Sequence, residues 1–234
     1  MKFNLVLLGL AGLAAANPIP EAAPDATPEV TPEAAAVLEA RQLVGSTANE
    51  LVNGACRRIT FIWARGSTEP GNLGSTLGPD VCSGLKSRFG SGNVACQGIG
   101  GPYTAALGDN ALPQGTTQAA INEGVRLYNL ASTKCPQTEI VGGGYSQGGA
   151  VTHGVARALS STVRGRVSGL LTFGDTRNRQ DGGRIPPFPA SQTRIICTAL
   201  DPICNGQLLV TLAHLSYGDD VPEGVNFLAG RINA

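Results

Sequence analysis

Residues 140–150 read IVGGGYSQGGA, an apolar run that ends in glycines surrounding a single serine. Gly144 to Gly148 follow the pattern G-x-S-x-G, which is typical of a sharp strand-to-helix turn that exposes a nucleophilic serine. Glycines are favoured there because side chains flanking such a turn would collide with the neighbouring strand and helix. A glycine-rich strand end with no catalytic role could have the same sequence. The interpretation therefore depends on the elements around Ser146 and on its partners.

The elements around this turn alternate between short β-rich runs and longer helical segments. Candidate strands are 58–64, 93–99, 138–144, 167–173 and 193–199, and candidate helices lie near 76–89, 116–133, 147–161 and 221–231. Their apolar residues do not alternate cleanly with polar ones, as expected for strands covered on both faces. The order predicts an α/β fold with a parallel sheet between helices, and it puts Ser146 at a strand–helix junction.

The N-terminus has a different composition from the rest of the chain. Residues 1–16 consist of a lysine followed by an apolar stretch that ends in small residues, which is the pattern of a secretory signal peptide. The apolar stretch is too short to span a membrane. Residues 17–41 are rich in proline, alanine and acids, and we expect a disordered pro-segment or linker. Residues 42–234 then form one domain of ordinary size.

The charge balance and the cysteines argue against nucleic-acid binding and against a zinc site. The chain has 17 basic and 17 acidic residues, and without residues 1–41 it has 15 basic and 12 acidic ones, which does not suggest nucleic-acid binding. An even number of cysteines behind a signal peptide indicates disulfides, and without a C-x-x-C pair zinc is not expected. Fifteen pairings are possible, with Cys197–Cys204 the safest local pair. The cysteines are Cys56, Cys82, Cys96, Cys135, Cys197 and Cys204.

A serine nucleophile needs a base, and the chain has two histidines. His153 lies within the helix that follows Ser146, about two turns or roughly 10 Å along the axis, and is interpreted as an ordinary helix-face residue. His214 follows the last predicted strand and fits the chain order serine, acid, histidine. We therefore expect His214 to be the base.

The acid is expected between Ser146 and His214, where the carboxylates are Asp175, Asp181 and Asp201. Asp201 lies between Cys197 and Cys204, and a disulfide-closed loop would hold a carboxylate rigidly against the imidazole. Asp175, directly after the fourth strand, is the second choice. As loop residues, Asp175 and Asp181 also fit a capping role.

The oxyanion hole is expected to combine two backbone donors. One is the N–H of Gln147, the residue after the nucleophile, and the other comes from an early strand–helix loop. The loop after the first predicted strand reads ARGSTEPGNLG, where Ser67 could offer its N–H and its hydroxyl. A Ser-Thr pair in a loop also fits a turn or cap without catalytic role.

Several longer stretches resemble the fungal cutinases over about residues 43–232. They are ARGSTEPGNLGSTLGP (64–79), GDNALPQGTT (108–117), GGGYSQGGA (142–150), GRIPPFPA (183–190) and CTALDPICNG (197–206). The spacing Cys–x3–Asp–x2–Cys, with a histidine thirteen residues after the aspartate, is specific to that family. The resemblance implies a lidless α/β-hydrolase fold with a five-stranded parallel sheet, and a serine esterase without metal or cofactor.

Carried over by position, the resemblance implies the roles of individual residues. Ser146, Asp201 and His214 would form the triad, and Ser67 and Gln147 the oxyanion hole. Asn110 would support the Ser67 loop beside the substrate. The resemblance also implies disulfides Cys56–Cys135 and Cys197–Cys204. Cys82 and Cys96 are a departure from it, since some members lack this pair, and we expect them to form a third bridge.

The resemblance also locates the substrate between two apolar loops, 106–112 and 207–215. The residues expected to line the acyl groove and to rest on an insoluble polyester such as cutin are Leu107, Tyr145, Leu208, Val210 and Leu215; each of the aliphatic residues equally fits an ordinary core position. We expect a secreted monomer. Two alternatives stay open: an acetylxylan esterase with the same fold and triad, and a catalytically silent secreted binding module.

Overall fold

The computed structural model describes residues 29–31 and 45–232. The predicted signal peptide, 1–16, and most of the predicted pro-segment, 17–41, lie outside the described residues. The described chain contains one five-stranded parallel sheet and one short pair of strands. The strands are β1 (Glu29–Val30), β2 (Ile59–Ala64), β3 (Val94–Gly98), β4 (Glu139–Tyr145), β5 (Val167–Phe173), β6 (Thr193–Ile196) and β7 (Leu209–Val210).

The large sheet has the strand order β3-β2-β4-β5-β6, so the strand that precedes Ser146 lies in its centre. The helices are α1 (Glu50–Asn53), α2 (Gly78–Phe89), α3 (Gln118–Lys134), α4 (Gln147–Ala158), α5 (Ser161–Arg164) and α6 (Val221–Arg231). Single 3₁₀ turns occupy Ser91–Asn93, Leu107–Ala111, Ala190–Gln192, Ile203–Asn205, Ala213–Leu215 and Tyr217–Asp220. No helix in the described ranges is long and apolar enough to cross a membrane.

Two apolar layers cover the sheet, one on each face. On one face, α3 and α4 pack against strand residues such as Ile62, Ile140 and Leu170. On the other face, α2 and α6 pack against residues such as Phe61 and Phe173. Since both faces are buried, every residue of β2 is buried, and this explains why its sequence does not alternate. The predicted α/β sandwich with five parallel strands is confirmed.

Three disulfides tie loops to this core: Cys56–Cys135, Cys82–Cys96 and Cys197–Cys204. The first joins the segment before β2 to the end of α3. The second joins α2 to β3. The third closes the loop of residues 197–204 that follows β6.

Some predicted elements differ from those observed. The strand predicted over 193–199 ends at Ile196, because Cys197 enters the disulfide-closed loop. The helix predicted over 147–161 ends at Ala158, and α5 follows with Ser160 as its N-cap. Within the segment expected to be disordered, Glu29 and Thr31 donate backbone hydrogen bonds to the carbonyls of Leu208 and Val210. An extended chain can pair with a strand edge in this way whatever its side chains are.

Candidate active site

Ser146 lies in a sharp turn between β4 and α4, with backbone angles of φ 56° and ψ −119°. Few residues with a side chain adopt such a positive φ, and a strained residue of this kind often marks a functional site. The Ser146 N–H donates to the carbonyl of Phe173 at 3.0 Å, which anchors the turn to β5. A methyl group at Gly148 would lie 2.0 Å from the carbonyl oxygen of Ala64, so only glycine lets α4 approach β2 so closely.

Ser146, His214 and Asp201 form a continuous hydrogen-bonded row at this turn. The distance from His214 Nε2 to Ser146 Oγ is 2.9 Å, and that from His214 Nδ1 to Asp201 Oδ2 is 2.8 Å. Because the carboxylate can only accept, Nδ1 carries the proton, and Nε2 is then free to accept from the serine hydroxyl. Asp201 is fully buried and His214 nearly so, which strengthens the electrostatic interaction between them.

Asp201 is fixed by further donors. Its Oδ1 accepts the backbone N–H of Ile203 at 3.0 Å, and its Oδ2 accepts the Tyr217 hydroxyl at 2.7 Å. Burial and the hydrogen bond to Asp201 raise the pKa of Tyr217, so the phenol stays protonated and donates. Together with the Cys197–Cys204 disulfide, these contacts keep the carboxylate in one orientation towards His214.

Tyr145 packs against His214 and fixes its position. The Tyr145 hydroxyl donates to the backbone carbonyl of His214 at 2.8 Å, and the two rings stack with their centroids 5.1 Å apart. Tyr145 is therefore buried under the imidazole, and only a small part of its side chain can face a substrate.

Ser67 faces the same turn from the loop after β2. Its Oγ accepts hydrogen bonds from Asn110 Nδ2 at 2.8 Å and from Gln147 Nε2 at 3.1 Å. Since both contacts use lone pairs, the hydroxyl hydrogen of Ser67 remains available to a negatively charged oxygen. The backbone N–H of Gln147, the first residue of α4, has no acceptor within its own helix and lies at the positive end of the helix dipole.

The Ser67 loop is ordered by two buried charged residues that the sequence did not single out. Glu69 accepts backbone N–H groups of Gly66, Ser75 and Thr76 at 2.6–2.9 Å. Arg65 donates to backbone carbonyls, among them those of Glu69 and Thr104. Both side chains satisfy backbone groups that a tight loop leaves unpaired. No periodic pattern marks such residues in a sequence.

Comparisons with known proteins agree with this geometry. The family model described as Cutinase matches residues 55–232. This chain belongs to the cutinase family. It is 47% identical to probable cutinase 3 of Neosartorya fischeri over 229 residues, which cover 98% of this chain and 97% of that protein.

Solved structures of family members and relatives have the same fold. The Trichoderma reesei cutinase in complex with a phosphonate inhibitor is 29% identical, with a TM-score of 0.68, over 86% of this chain and 85% of the other. The catalytic core of Trichoderma reesei acetyl xylan esterase, at 20% identity, shares the fold with a TM-score of 0.62 over 75% and 99% of the two chains. The chain is a carboxylic ester hydrolase with a lidless α/β-hydrolase fold.

The predicted acyl-binding residues of this cutinase family member differ in exposure. Leu107 and Leu208 are half-buried, while Val210 and Leu215 are 8% and 3% exposed. The latter two therefore pack mostly into the protein, and their contact with an acyl chain stays a prediction. The large aliphatic side chains exposed on the two apolar loops are Leu112 and Leu212, at 41% and 50%.

The remaining predicted residues of the family member lie as follows. Asn110 donates to Ser67 and to the Leu107 carbonyl, so it braces the loop instead of pointing only at a substrate. His153, interpreted from sequence as a helix-face residue, is fully buried between Asp175 and Asp181. In the described part of the chain, no group of three or more His, Cys, Asp or Glu side chains is arranged to hold a metal ion.

Proposed function

We propose that the protein is a secreted serine esterase that hydrolyses cutin and related aliphatic polyesters through an acyl-enzyme intermediate. The observation that carries the proposal is the hydrogen-bonded row Ser146–His214–Asp201 at a strained turn. Ser67 is hydrogen-bonded to Gln147, the residue after that serine. The name of the Neosartorya relative supplies the substrate class. The signal-peptide pattern of residues 1–16 and the three disulfides support secretion.

In the acylation step, His214 Nε2 takes the proton of Ser146 Oγ as the oxygen attacks the ester carbonyl carbon. The negative charge that develops on the carbonyl oxygen is stabilised by the N–H of Gln147 and by the N–H and hydroxyl of Ser67. Asp201 stabilises the imidazolium that forms. The tetrahedral intermediate then collapses, the carbon–oxygen bond to the alcohol breaks, and the imidazolium gives its proton to the leaving alkoxide.

In the deacylation step, His214 Nε2 takes a proton from a water molecule, and the hydroxide attacks the acyl-enzyme carbonyl. Collapse of this second intermediate breaks the bond to Ser146 Oγ, which regains its proton from His214. The products are one carboxylic acid and one alcohol for each ester hydrolysed. The residues in this cycle need no metal or cofactor.

The substrate class is tested by hydrolysis of p-nitrophenyl esters from acetate to palmitate, with Ser146→Ala as the matched control. A cutinase is expected to prefer short-to-medium acyl chains and to keep useful activity on longer ones. Nucleophile removal should lower kcat by about 10⁴-fold or more. A phosphonate ester should also phosphonylate Ser146 Oγ with loss of its alcohol, so that the protein gains the mass of the phosphonyl group, and Ser146→Ala should gain none.

Two outcomes would replace this proposal. Strict restriction to the acetate ester, with release of acetate from acetylated xylan, would make the protein a carbohydrate deacetylase, although the exposed Leu112 and Leu212 favour an apolar substrate. Turnover by Ser146→Ala at the parent rate would exclude Ser146 as the nucleophile.

We expect a monomer in solution, and size-exclusion chromatography with light scattering tests that expectation.

A further inference from the structure

A second buried cluster of charged residues lies beside the candidate active site. The His153 ring is sandwiched between two carboxylates: Nδ1 lies 2.5 Å from Asp181 Oδ2 and Nε2 lies 2.9 Å from Asp175 Oδ2. Asp175 is fully buried, and the His153 side chain is 1% exposed. Asp175 also accepts from the Thr172 hydroxyl at 2.7 Å and from the backbone N–H of Arg177 at 2.8 Å.

The contacts at both ring nitrogens determine the charge of His153. A carboxylate oxygen can only accept a hydrogen bond, so each ring nitrogen must carry a proton, and the ring is an imidazolium. Burial lowers the pKa of His153, but the attraction and hydrogen bonds of Asp175 and Asp181 outweigh it and raise the pKa to about 9. Burial alone would raise the pKa of each carboxyl. His153 outweighs it and lowers both pKa values, with help from Thr172 and the Arg177 backbone at Asp175 and from Arg157 at Asp181.

The two carboxylates belong to one loop, residues 174–183, which we call the brace loop. It leaves the end of β5 at Gly174 and returns across α4, and backbone hydrogen bonds from Asn178 to Asp175 and from Asp181 to Arg177 close its turns. His153 projects from α4. The imidazolium therefore joins the brace loop, at two points, to the helix that begins immediately after Ser146.

The brace loop in turn contacts the surroundings of all three members of the Ser–His–Asp row. Thr176 Oγ1 donates to the backbone carbonyl of Ser146 at 3.3 Å. Gly174 lies against the His214 ring. Asn178 Nδ2 donates to the carbonyl of Cys204 at 3.0 Å, in the disulfide-closed loop that carries Asp201.

We propose that His153 is a positioning residue for the esterase reaction: by bridging Asp175 and Asp181 it fixes the brace loop, which holds Ser146, His214 and Asp201 in their reactive arrangement. The inference rests on the proposed nucleophile and triad. It assigns His153, Asp175 and Asp181 a role in turnover, although none of them touches the reacting atoms.

Turnover should depend on pH through the protonation of His153. A neutral imidazole has one N–H, so loss of the proton breaks one of the two bridges to the brace loop. The charged groups that face His153 or its partners are Asp175 and Asp181 from the brace loop, Arg177 from the same loop, and Arg157 from α4. The arginines pair with Asp181, and the His153 imidazolium is the group whose loss of a proton would break a bridge to the brace loop.

The test compares full-length protein carrying His153→Gln with the parent, using p-nitrophenyl butyrate at 25 °C between pH 6 and 10. Glutamine fills a similar volume but is neutral and cannot bridge both carboxylates with ring N–H groups. We expect kcat to fall about tenfold at pH 7.5, while KM changes by less than about twofold. The parent kcat should decline as the pH rises through about 9, and this limb should be absent from His153→Gln.

Val155→Ala supplies the matched control, because Val155 lies on the same helix and is buried in the apolar layer. It should lower the thermal midpoint while kcat and the alkaline limb stay as in the parent. If His153→Gln also keeps the parental kcat and the alkaline limb and loses only thermal stability, His153 is merely structural and the proposal is overturned. A parent that does not hydrolyse the ester would contradict the proposed function instead.

Two measurements keep the proposal testable if His153→Gln does not fold. Asp181→Asn leaves the bridge to Asp175 in place but weakens the one to Asp181, together with the ion pairs of Asp181 with two arginines, and should lower kcat by about threefold. In the parent, the His153 imidazole signals followed by NMR should titrate together with the decline of kcat. A neutral His153 ring at pH 7, or a kcat that does not follow its titration, would overturn the proposal.

Discussion

Gly174 lies directly against the imidazole of His214: a methyl group at its α-carbon would sit 2.7 Å from Cε1 and 2.9 Å from Nδ1 of the ring. Gly174 also has a positive φ of 50°, which residues with a side chain rarely adopt. The space needed by the histidine is thus created by the absence of one methyl group at the end of β5.

We expect Gly174→Ala to push His214 away from Ser146 and to lower kcat/KM by about 100-fold, because small misplacements of catalytic groups have large effects on rate. The measurement is hydrolysis of p-nitrophenyl butyrate at a temperature at which the variant is folded by circular dichroism. Gly218→Ala is the control, since a methyl group there meets no atom within 4 Å. Parental activity in Gly174→Ala would mean that the ring tolerates displacement.

Tyr217→Phe removes one of the three hydrogen bonds to the Asp201 carboxylate while leaving the aromatic ring in place. A hydrogen bond to a buried charge contributes about 1.5–3 kcal/mol, so we expect the free energy of unfolding to fall by that amount in urea denaturation. The specificity constant kcat/KM should fall as well, because the carboxylate then orients the His214 imidazole less firmly.

Tyr128→Phe is the control for that experiment, since Tyr128 is equally buried but lies in α3 under the other face of the sheet. Its hydroxyl should matter little to kcat/KM. The prediction about Asp201 is contradicted if Tyr217→Phe lowers neither the stability nor kcat/KM more than Tyr128→Phe does.

Much of the fold and the row around Ser146 follow from the sequence. The order of elements was enough to predict the parallel sheet, since the apolar runs are too short for helices and all but one are followed by a helical segment. Elimination selects His214 because only two histidines exist in the chain. Asp201 follows from its position between Cys197 and Cys204, which the structure joins in a disulfide.

The features that sequence reasoning missed depend on tertiary contacts. From the sequence, His153 is an ordinary helix-face residue, and nothing in the spacing of Asp175 and Asp181 reveals that both reach its ring. Likewise, the exposure of Leu212 and the burial of Leu215, three residues apart, depend on how the 3₁₀ turn at Ala213–Leu215 packs.

The charge of His153 predicts how stability depends on pH. Its folded-state pKa, about 9, lies above the unfolded value of about 6.5, so its contribution is fully present below pH 6.5 and is lost as the pH rises through 9. Thermal unfolding from pH 6.5 to 9.5 should show a falling midpoint, equivalent to at most about 3 kcal/mol. In His153→Gln the midpoint should start lower and change less, and equal slopes in both proteins would contradict this assignment.

Leu112 and Leu212 are the large exposed aliphatic side chains on the two loops expected to flank the substrate. At 41% and 50% exposure, they do not belong to the apolar core. If they contact an insoluble polyester, removal of each should weaken adsorption by about 1 kcal/mol, roughly fivefold. We therefore expect Leu112→Ser and Leu212→Ser to lose more activity on polyester particles than on dissolved p-nitrophenyl butyrate, and the double variant to lose more than either.

Val52→Ser is the matched control for this surface. Val52 is also 41% exposed, but it lies on α1 beside the edge strand β3, where its N–H donates to Gln97 Oε1, whereas Ser146 follows the central strand β4. Its removal should leave the ratio of particle to soluble activity at the parental value. If Leu112→Ser and Leu212→Ser keep that ratio as well, the polymer does not rest on these two loops. Adsorption to the particles, measured by protein depletion from solution, would then have to be mapped to another face.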